Sequence, residues 1–227
     1  MLLLIESSTS VCSVALSSGG KIISVREINE PNRHAEKLTV FCDEVMKEAG
    51  ISFARLDGVA VSKGPGSYTG LRIGVSAAKG ICYAVNKPLI AVGTIEAMAA
   101  GMQPEAKPGD LLCPMIDARR MEVYCALYNH AGNEIRPVAP LVLDENSFAE
   151  LLAEKRILFS GDGMPKSKEL LSRFPNAVFT EAGMCSAKHL AFPAEKKLAD
   201  KAFEDLAYFE PFYLKVFHPG PQRSKES

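Results

Sequence analysis

The chain has almost no net charge, no clustered metal-ligand pattern and no long apolar run, and each lack removes a class of function. Twenty-six basic and 27 acidic side chains leave a net charge of −1. A domain that grips nucleic acid alone is usually basic, so any role at nucleic acid is expected to be indirect or shared. Only Lys215 to Lys225 leans basic, and it reads as a solvated terminus. The six cysteines, at 12, 42, 82, 113, 125 and 185, form no C-x-x-C pair, which argues against a zinc ribbon. Most sit in apolar stretches, as small buried hydrophobes do. His34, His130, His189 and His218 are scattered, with no H-E-x-x-H and no i, i+4 pair. A catalytic metal needs about three protein ligands, and none is expected here. No apolar run approaches the roughly 20 residues of a membrane span. The run at Met1–Ile5 stops at Glu6, short of the roughly 7–15 residues of a signal core. A soluble, cytoplasmic protein with no membrane partner is the expectation.

What is present is an ordinary globular composition, 47% hydrophobic and 23% charged over 227 residues, enough for a real core. The chain opens with strand-like pieces at Leu2–Glu6, Ser13–Leu16 and Lys21–Arg26, the last two joined by the Gly19–Gly20 turn. A helix follows over Asn32–Gly50, with Asn32 as N-cap and Gly50 past the C-terminus. A strand over Leu56–Ser62, a helix over Tyr68–Val85, a strand over Pro88–Val92 and a short helix over Thr94–Gly101 complete the first half. Gln103–Asp110, with two prolines and a glycine, is the best lobe boundary. The second half restarts with strands at Leu111–Asp117, Glu122–Tyr128 and Glu134–Val138. Then come a helix over Glu145–Glu154, a strand over Arg156–Ser160 and helices over Pro165–Phe174, Ser186–Phe192 and Pro193–Ala207. The order of elements repeats without a sequence repeat. It predicts two similar α/β lobes, 1–103 and 104–227, each a mixed sheet with packed helices, with the last segment free to pack back on the first lobe.

The strongest motif is Gly64-Pro65-Gly66-Ser67-Tyr68-Thr69-Gly70-Leu71-Arg72-Ile73-Gly74, which joins a strand to a helix. Its glycines permit positive φ or close approach, and Ser67 and Thr69 can cap the helix start. Two readings stay open: a structural turn with tight helix packing, or an anion cradle on free backbone N–H groups. It is not a P-loop, because no lysine follows the glycines before Ser67 or Thr69.

This motif, with Ile5-Glu6-Ser7-Ser8, Arg33-His34-Ala35-Glu36-Lys37-Leu38 and Glu210-Pro211-Phe212-Tyr213-Leu214-Lys215, resembles the family of the bacterial tRNA threonylcarbamoyladenosine biosynthesis protein TsaB, formerly YeaZ. The likeness is strongest over residues 1–100. It implies an actin-like, ribonuclease H-like fold of the sugar-kinase and chaperone-ATPase superfamily. It also implies a non-catalytic scaffold that pairs with a homologous catalytic subunit, TsaD, recruits an ATPase, TsaE, and reaches tRNA adenosine 37 only through that complex.

Two other functions are weighed against that one. The catalytic relative was once described as a glycoprotease, and its metal is held by paired histidines shortly after the second long helix. Here that region reads Val92-Gly93-Thr94-Ile95-Glu96-Ala97-Met98-Ala99-Ala100, without histidine. Kinases of the fold the resemblance implies place an Asp at the end of the first strand, and the catalytic relative has a further Asp four residues past its strand-end Glu. Here Glu6 remains, but the position four on is Ser10, without the carboxylate for metal-assisted phosphate chemistry. Glu6 is therefore read as structural, an acceptor for backbone N–H groups. The expectation is no catalytic residue, no metal and no required cofactor. Room is left for weak nucleotide contact at Glu6, Ser7, Ser8, Gly64, Gly66, Ser67 and the second strand-to-helix turn, Gly161-Asp162-Gly163. The charged turn Asp117-Ala118-Arg119-Arg120 is explained by hairpin chemistry, with partner or RNA contact as the alternative.

The two long helices carry more apolar surface than one sheet face absorbs. On the second, Leu71, Val75, Ala78, Cys82 and Val85 form one stripe, while Ile73, Ala77, Ile81 and Ala84 lie elsewhere. Leu38, Phe41, Cys42, Val45, Gly70, Ile73, Gly74, Ala77, Ala78 and Ile81 are the expected partner interface, used for the catalytic homologue and for a homodimer when the chain is alone. A charge at Val75 or Ala78 should then break the contact.

Overall fold

The computed structural model describes residues 1–215. His218 and the basic stretch beyond Lys215 lie outside the described residues.

The first sheet is built from β1 (Leu2–Glu6), β2 (Val11–Ser18), β3 (Lys21–Asn29), β4 (Gly58–Ser62) and β5 (Leu89–Val92) in the order β3-β2-β1-β4-β5. β1 to β3 form the expected antiparallel meander, turned by Gly19 and Gly20 at positive φ. β4 and β5 add in parallel. Central strands covered on both faces read as continuous apolar runs, and β1 and β4 are buried at every position. The second sheet repeats the plan with β6 (Leu111–Asp117), β7 (Glu122–Asn129), β8 (Glu134–Val142), β9 (Ile157–Ser160) and β10 (Ala177–Phe179), ordered β10-β9-β6-β7-β8. Each sheet is thus a three-strand meander with two parallel strands added beside its first strand, the arrangement expected of an actin-like pair of lobes.

On the first sheet, α1 (His34–Glu48) and α2 (Tyr68–Val85) cover one face, burying Leu38, Cys42, Val45, Val75, Ala78 and Cys82 against Leu3, Ile5 and Val59. The opposite face is covered by the far end of the chain, a 3-10 turn at Ala187–Leu190 and α6 (Ala191–Ala199). Conversely α3 (Thr94–Met102), which precedes the boundary at 103, packs on the second sheet against Leu112, Ile116, Ala126 and Leu158. A cut between 103 and 104 therefore follows the strands but not the packing. Each lobe borrows a helix from the other side of it. α4 (Ala149–Glu154) and α5 (Met164–Leu171) seal the remaining face of the second sheet.

Several element ends differ from expectation. Asn32 is not the N-cap of α1. It takes φ +63, and Arg33 stands at the cap without a side-chain bond. α4 begins at 149 because Asp144 and Ser147 bond each other's backbone and side chains in a competing turn, and Phe148 takes φ +62. α6 stops at Ala199, not Ala207. Lys201 adopts φ +54 and Ala202 N–H donates to Lys197 O, a C-terminal cap of Schellman type made without glycine. β8 runs past Pro137 and Pro140, which an edge strand tolerates.

Candidate functional site

Between the lobes, at the ends of β1, β4, β6 and β9, lies a cleft of about 700 Å³. Its first wall is the Ser8–Ser10 turn, His34 and the Pro65–Gly70 segment, and its second is Ile116–Arg119, Tyr124 and Asp162. Phe212, Tyr213, Leu214 and Lys215 form a third wall.

The first wall explains the glycines. An added Cβ at Gly66 would lie 2.3 Å from Ser8 O, at Gly70 2.1 Å from Ser7 O, and at Gly74 2.1 Å from Ser7 Oγ. No real Cβ survives such distances, so three glycines, each four residues apart, let the turn and the first two turns of α2 lie flat on Ser7–Ser8. Ser67 N–H donates to Ser8 O at 2.6 Å, Ser7 Oγ donates to Gly70 O at 2.9 Å, and the Ser67 hydroxyl caps Gly70 N–H at 3.2 Å. Gly64, at φ +113, is shut on its other side by Phe212 O, 2.4 Å from an added Cβ. The neighbour that comes close to Gly70 and Gly74 is thus this chain's own serine turn, not a partner helix. Glu6 is fully buried under this turn. Its Oε1 accepts from Ser8 N–H at 2.7 Å and from Ser62 Oγ at 2.9 Å. Burial pushes its carboxyl up against the opposing pull of those bonds.

The second wall is closed by related geometry and different chemistry. Gly161, at φ +104, and Gly163 abut Met115, Ile116 and Val123, where side chains would clash. The Asp162 carboxylate accepts from Asp117 N–H at 2.9 Å, and its burial raises its pKa. Lys166 Nζ clamps the β6–β7 hairpin, donating to Asp117 Oδ1, Arg120 O and Glu122 O at 2.7–2.8 Å. Arg119 and Arg120 take positive φ in that hairpin.

Chemically, the deep groups of the cleft are held in quiet states. His34 Nε2 lies 3.1 Å from Val11 O, and its ring is buried at the first turn of α1. Behind the first wall the buried Cys185 Sγ lies 3.9 Å from Ser8 Oγ, without itself lining the cleft. Its thiol is pushed well up by burial and by the nearby Glu6 and Asp162 carboxylates. A thiol shifted that way is a poor nucleophile. Nothing in the spacing of Ser8 and Cys185, 177 residues apart, could have signalled that they meet.

The expected interface residues divide in two. Leu38, Cys42, Val45 and Ala78 are buried in the first lobe's core, and Gly70 and Gly74 lie under Ser7. They are not available to a partner, because they belong to the stripe that meets the sheet. Phe41, Ile73, Ala77 and Ile81 are half-buried along the α1–α2 seam, flanked by the exposed Val40 and Tyr83. A charge at Val75 or Ala78 would therefore unfold the lobe before it tested any interface.

The model of the TsaD family, tRNA N6-adenosine threonylcarbamoyltransferase, matches residues 27–216. The tRNA threonylcarbamoyladenosine biosynthesis protein TsaB of Escherichia coli K12 is 34% identical over 134 residues. That is 59% of this chain and 57% of the relative, so the match spans little more than half of that protein. The protein of the same name from Bacillus subtilis is 28% identical over 95% of this chain and 94% of its own length. Among solved structures, YeaZ from Pseudomonas aeruginosa superposes with a TM-score of 0.75 at 26% identity, covering 94% of this chain and 99% of that one. An activator of 2-hydroxyisocaproyl-CoA dehydratase from Clostridium difficile, at a TM-score of 0.52 and 8% identity, shares the fold alone. The chain therefore belongs to the TsaD family, in its TsaB (YeaZ) group.

Proposed function

We propose that this chain is the accessory subunit of a tRNA-modifying assembly, the step named in its relatives, with the catalysis done by a TsaD-like homologue. The observation that carries this is the seam of Phe41, Ile73, Ala77 and Ile81 on α1 and α2, apolar and left half-open after the sheet has taken its own stripe. Two helices from a homologous subunit laid on it would bury the roughly 1,200–2,000 Å² that stable pairs use. Alone, the chain would pair with itself through the same seam. A TsaE-like ATPase joins the assembly, tRNA is met only within it, and the work is cytoplasmic. Among the described residues no helix is long and apolar enough to cross a membrane.

The test is co-purification with a catalytic homologue and reconstitution of adenosine modification with and without this chain. Ile73→Glu and Ala77→Glu should each weaken association by at least about 2 kcal/mol while leaving the fold intact. Modification that proceeds equally without the chain would sink the proposal.

A second reading, weak nucleotide binding in the cleft, is favoured by one feature, the N-terminus of α2 opening onto that cavity beside Ser8 and Thr9. Titration calorimetry with ATP and magnesium decides it. Heat saturating at micromolar nucleotide would support the reading, and a flat trace would remove it.

A further inference from the structure

Residues 200–215, after α6, run without helix or sheet of their own, yet they are tied down at intervals along the first lobe. Glu204 N–H donates to Leu89 O on the edge strand β5, and Lys79 of α2 donates to Ala207 O and Phe209 O. Leu206 and Phe209 pack on the first lobe's core. Phe212 N–H donates to Lys63 O at 2.7 Å, and the Tyr213 ring lies 5.0 Å from that of Tyr68, over which the Arg72 guanidinium sits at 4.4 Å. α2 thus has three faces. Leu71, Val75, Ala78 and Cys82 meet the sheet, Ile73, Ala77 and Ile81 form the seam, and Tyr68, Arg72 and Lys79 carry this strap.

At Lys215 the strap reaches the second lobe. Lys215 Nζ donates to Glu122 Oε2 at 2.5 Å, at the start of β7 in the second lobe. Phe212 also lies between two inter-lobe cavities. It lines the 700 Å³ cleft on one side and, with Gly64 and Pro65, a 490 Å³ cavity on the other. The strap therefore lines the cleft and separates it from the second cavity, while its ion pair to the second lobe, among the described residues, is the partly exposed Lys215–Glu122.

We infer that residues 203–215 are a releasable latch: seated on α2 and hooked to Glu122 through Lys215, they hold the two lobes at their present opening. Release of the hook frees the second lobe from the strap and opens the cleft. Ion pairs of that exposure are weak and salt-screened, so the latch is set to open easily. A permanent joint would bury its link.

The test uses the full chain with cysteines placed at two exposed sites, Glu36→Cys on α1 and Glu169→Cys on α5. All six native cysteines are buried, so spin labels go to the new pair. Lys215→Ala should broaden the inter-lobe distance distribution toward longer distances. It should also raise hydrogen exchange over 209–215 about two- to fivefold, with α1 and β1–β3 unchanged. The charge exchange E122K/K215E should restore both readouts, and high salt should mimic Lys215→Ala. Distances that stay fixed while the strap exchanges faster overturn the inference, because the strap is then a passive tail. Exchange that rises equally through both lobes also overturns it, because the pair is then a general stabiliser.

Discussion

The two lobes share one strand order, but their helices and turns differ. In the first, the helices after β3 and β4 run 15 and 18 residues; in the second, those after β8 and β9 run 6 and 8. A short helix spends its whole apolar face on the sheet beneath it. Only the long pair has length and stripes left over, so only the first lobe offers a seam. The strand-to-helix turns diverge in the same direction. The first is dry, glycines shut on serines above the buried Glu6, and the second is charged, with Asp117 and Asp162 lining the cleft and Lys166 bound to Asp117. One lobe is built to seat helices, and the other presents charged groups to the space between them.

The largest blow to this comparison comes from filling its glycines. Gly70→Ala drives a methyl into Ser7 O, and Gly161→Ala adds a φ of +104 to a clash with Met115 O. Each should cost about 3 kcal/mol in denaturant unfolding. If Gly70→Ala is tolerated within about 0.5 kcal/mol, the dry-turn account is wrong, since the obstacle is backbone and not a side chain that can swing away.

Next in size is Lys166→Met, which keeps the stem and removes three charge-assisted bonds from the β6–β7 hairpin. A loss of about 1–2 kcal/mol is expected, with faster hydrogen exchange at residues 118–122. The first lobe's matching β1–β2 turn should not respond. Coupled loosening of both turns would show that the lobes do not hold their turns independently.

These contrasts mark what could be read in the residues alone. The two apolar stripes of α2 follow from helical spacing, and Gly50 and Ser67 play the terminal roles their residue types announce. The buried part of the interface list was misassigned because spacing shows that two faces are apolar, not which one the sheet takes. Lys201 ends α6 in a conformation that glycine usually signals, so the helix reads too long. The exchange of α3 and α6 between lobes is a tertiary fact without local trace, as are the strap's seat on α2 and the meeting of Cys185 with Ser8.

A smaller and opposite effect is expected at Gly80, on the solvent side of α2 with nothing within 4 Å of an added Cβ. Gly80→Ala should stabilise by about 0.5–1 kcal/mol. Set beside Gly70→Ala, it separates helix propensity from close packing within one helix, since the same substitution ten residues apart should change sign.

The last comparison is Glu6→Gln, and its value lies in the slope with pH. Burial raises the Glu6 pKa above its ordinary 4.5. The folded state then holds the proton more tightly than the unfolded chain. Stability from this group is greatest below 4.5, falls as pH rises from there through the folded value, and is level above it. His189 works the other way. Burial lowers it from 6.5 to about 4, so its contribution is present above 6.5 and is lost as pH falls toward 4. The two slopes oppose each other in wild type, and a single stability profile would hide both. Glutamine keeps an oxygen for Ser8 N–H and Ser62 Oγ but cannot ionise. The difference in unfolding free energy between Glu6→Gln and wild type should therefore grow in the variant's favour as pH rises above 4.5, then level off. A difference that stays flat across that window would mean Glu6 is not desolvated, and the dry turn over it would have to be wetter than its glycines imply.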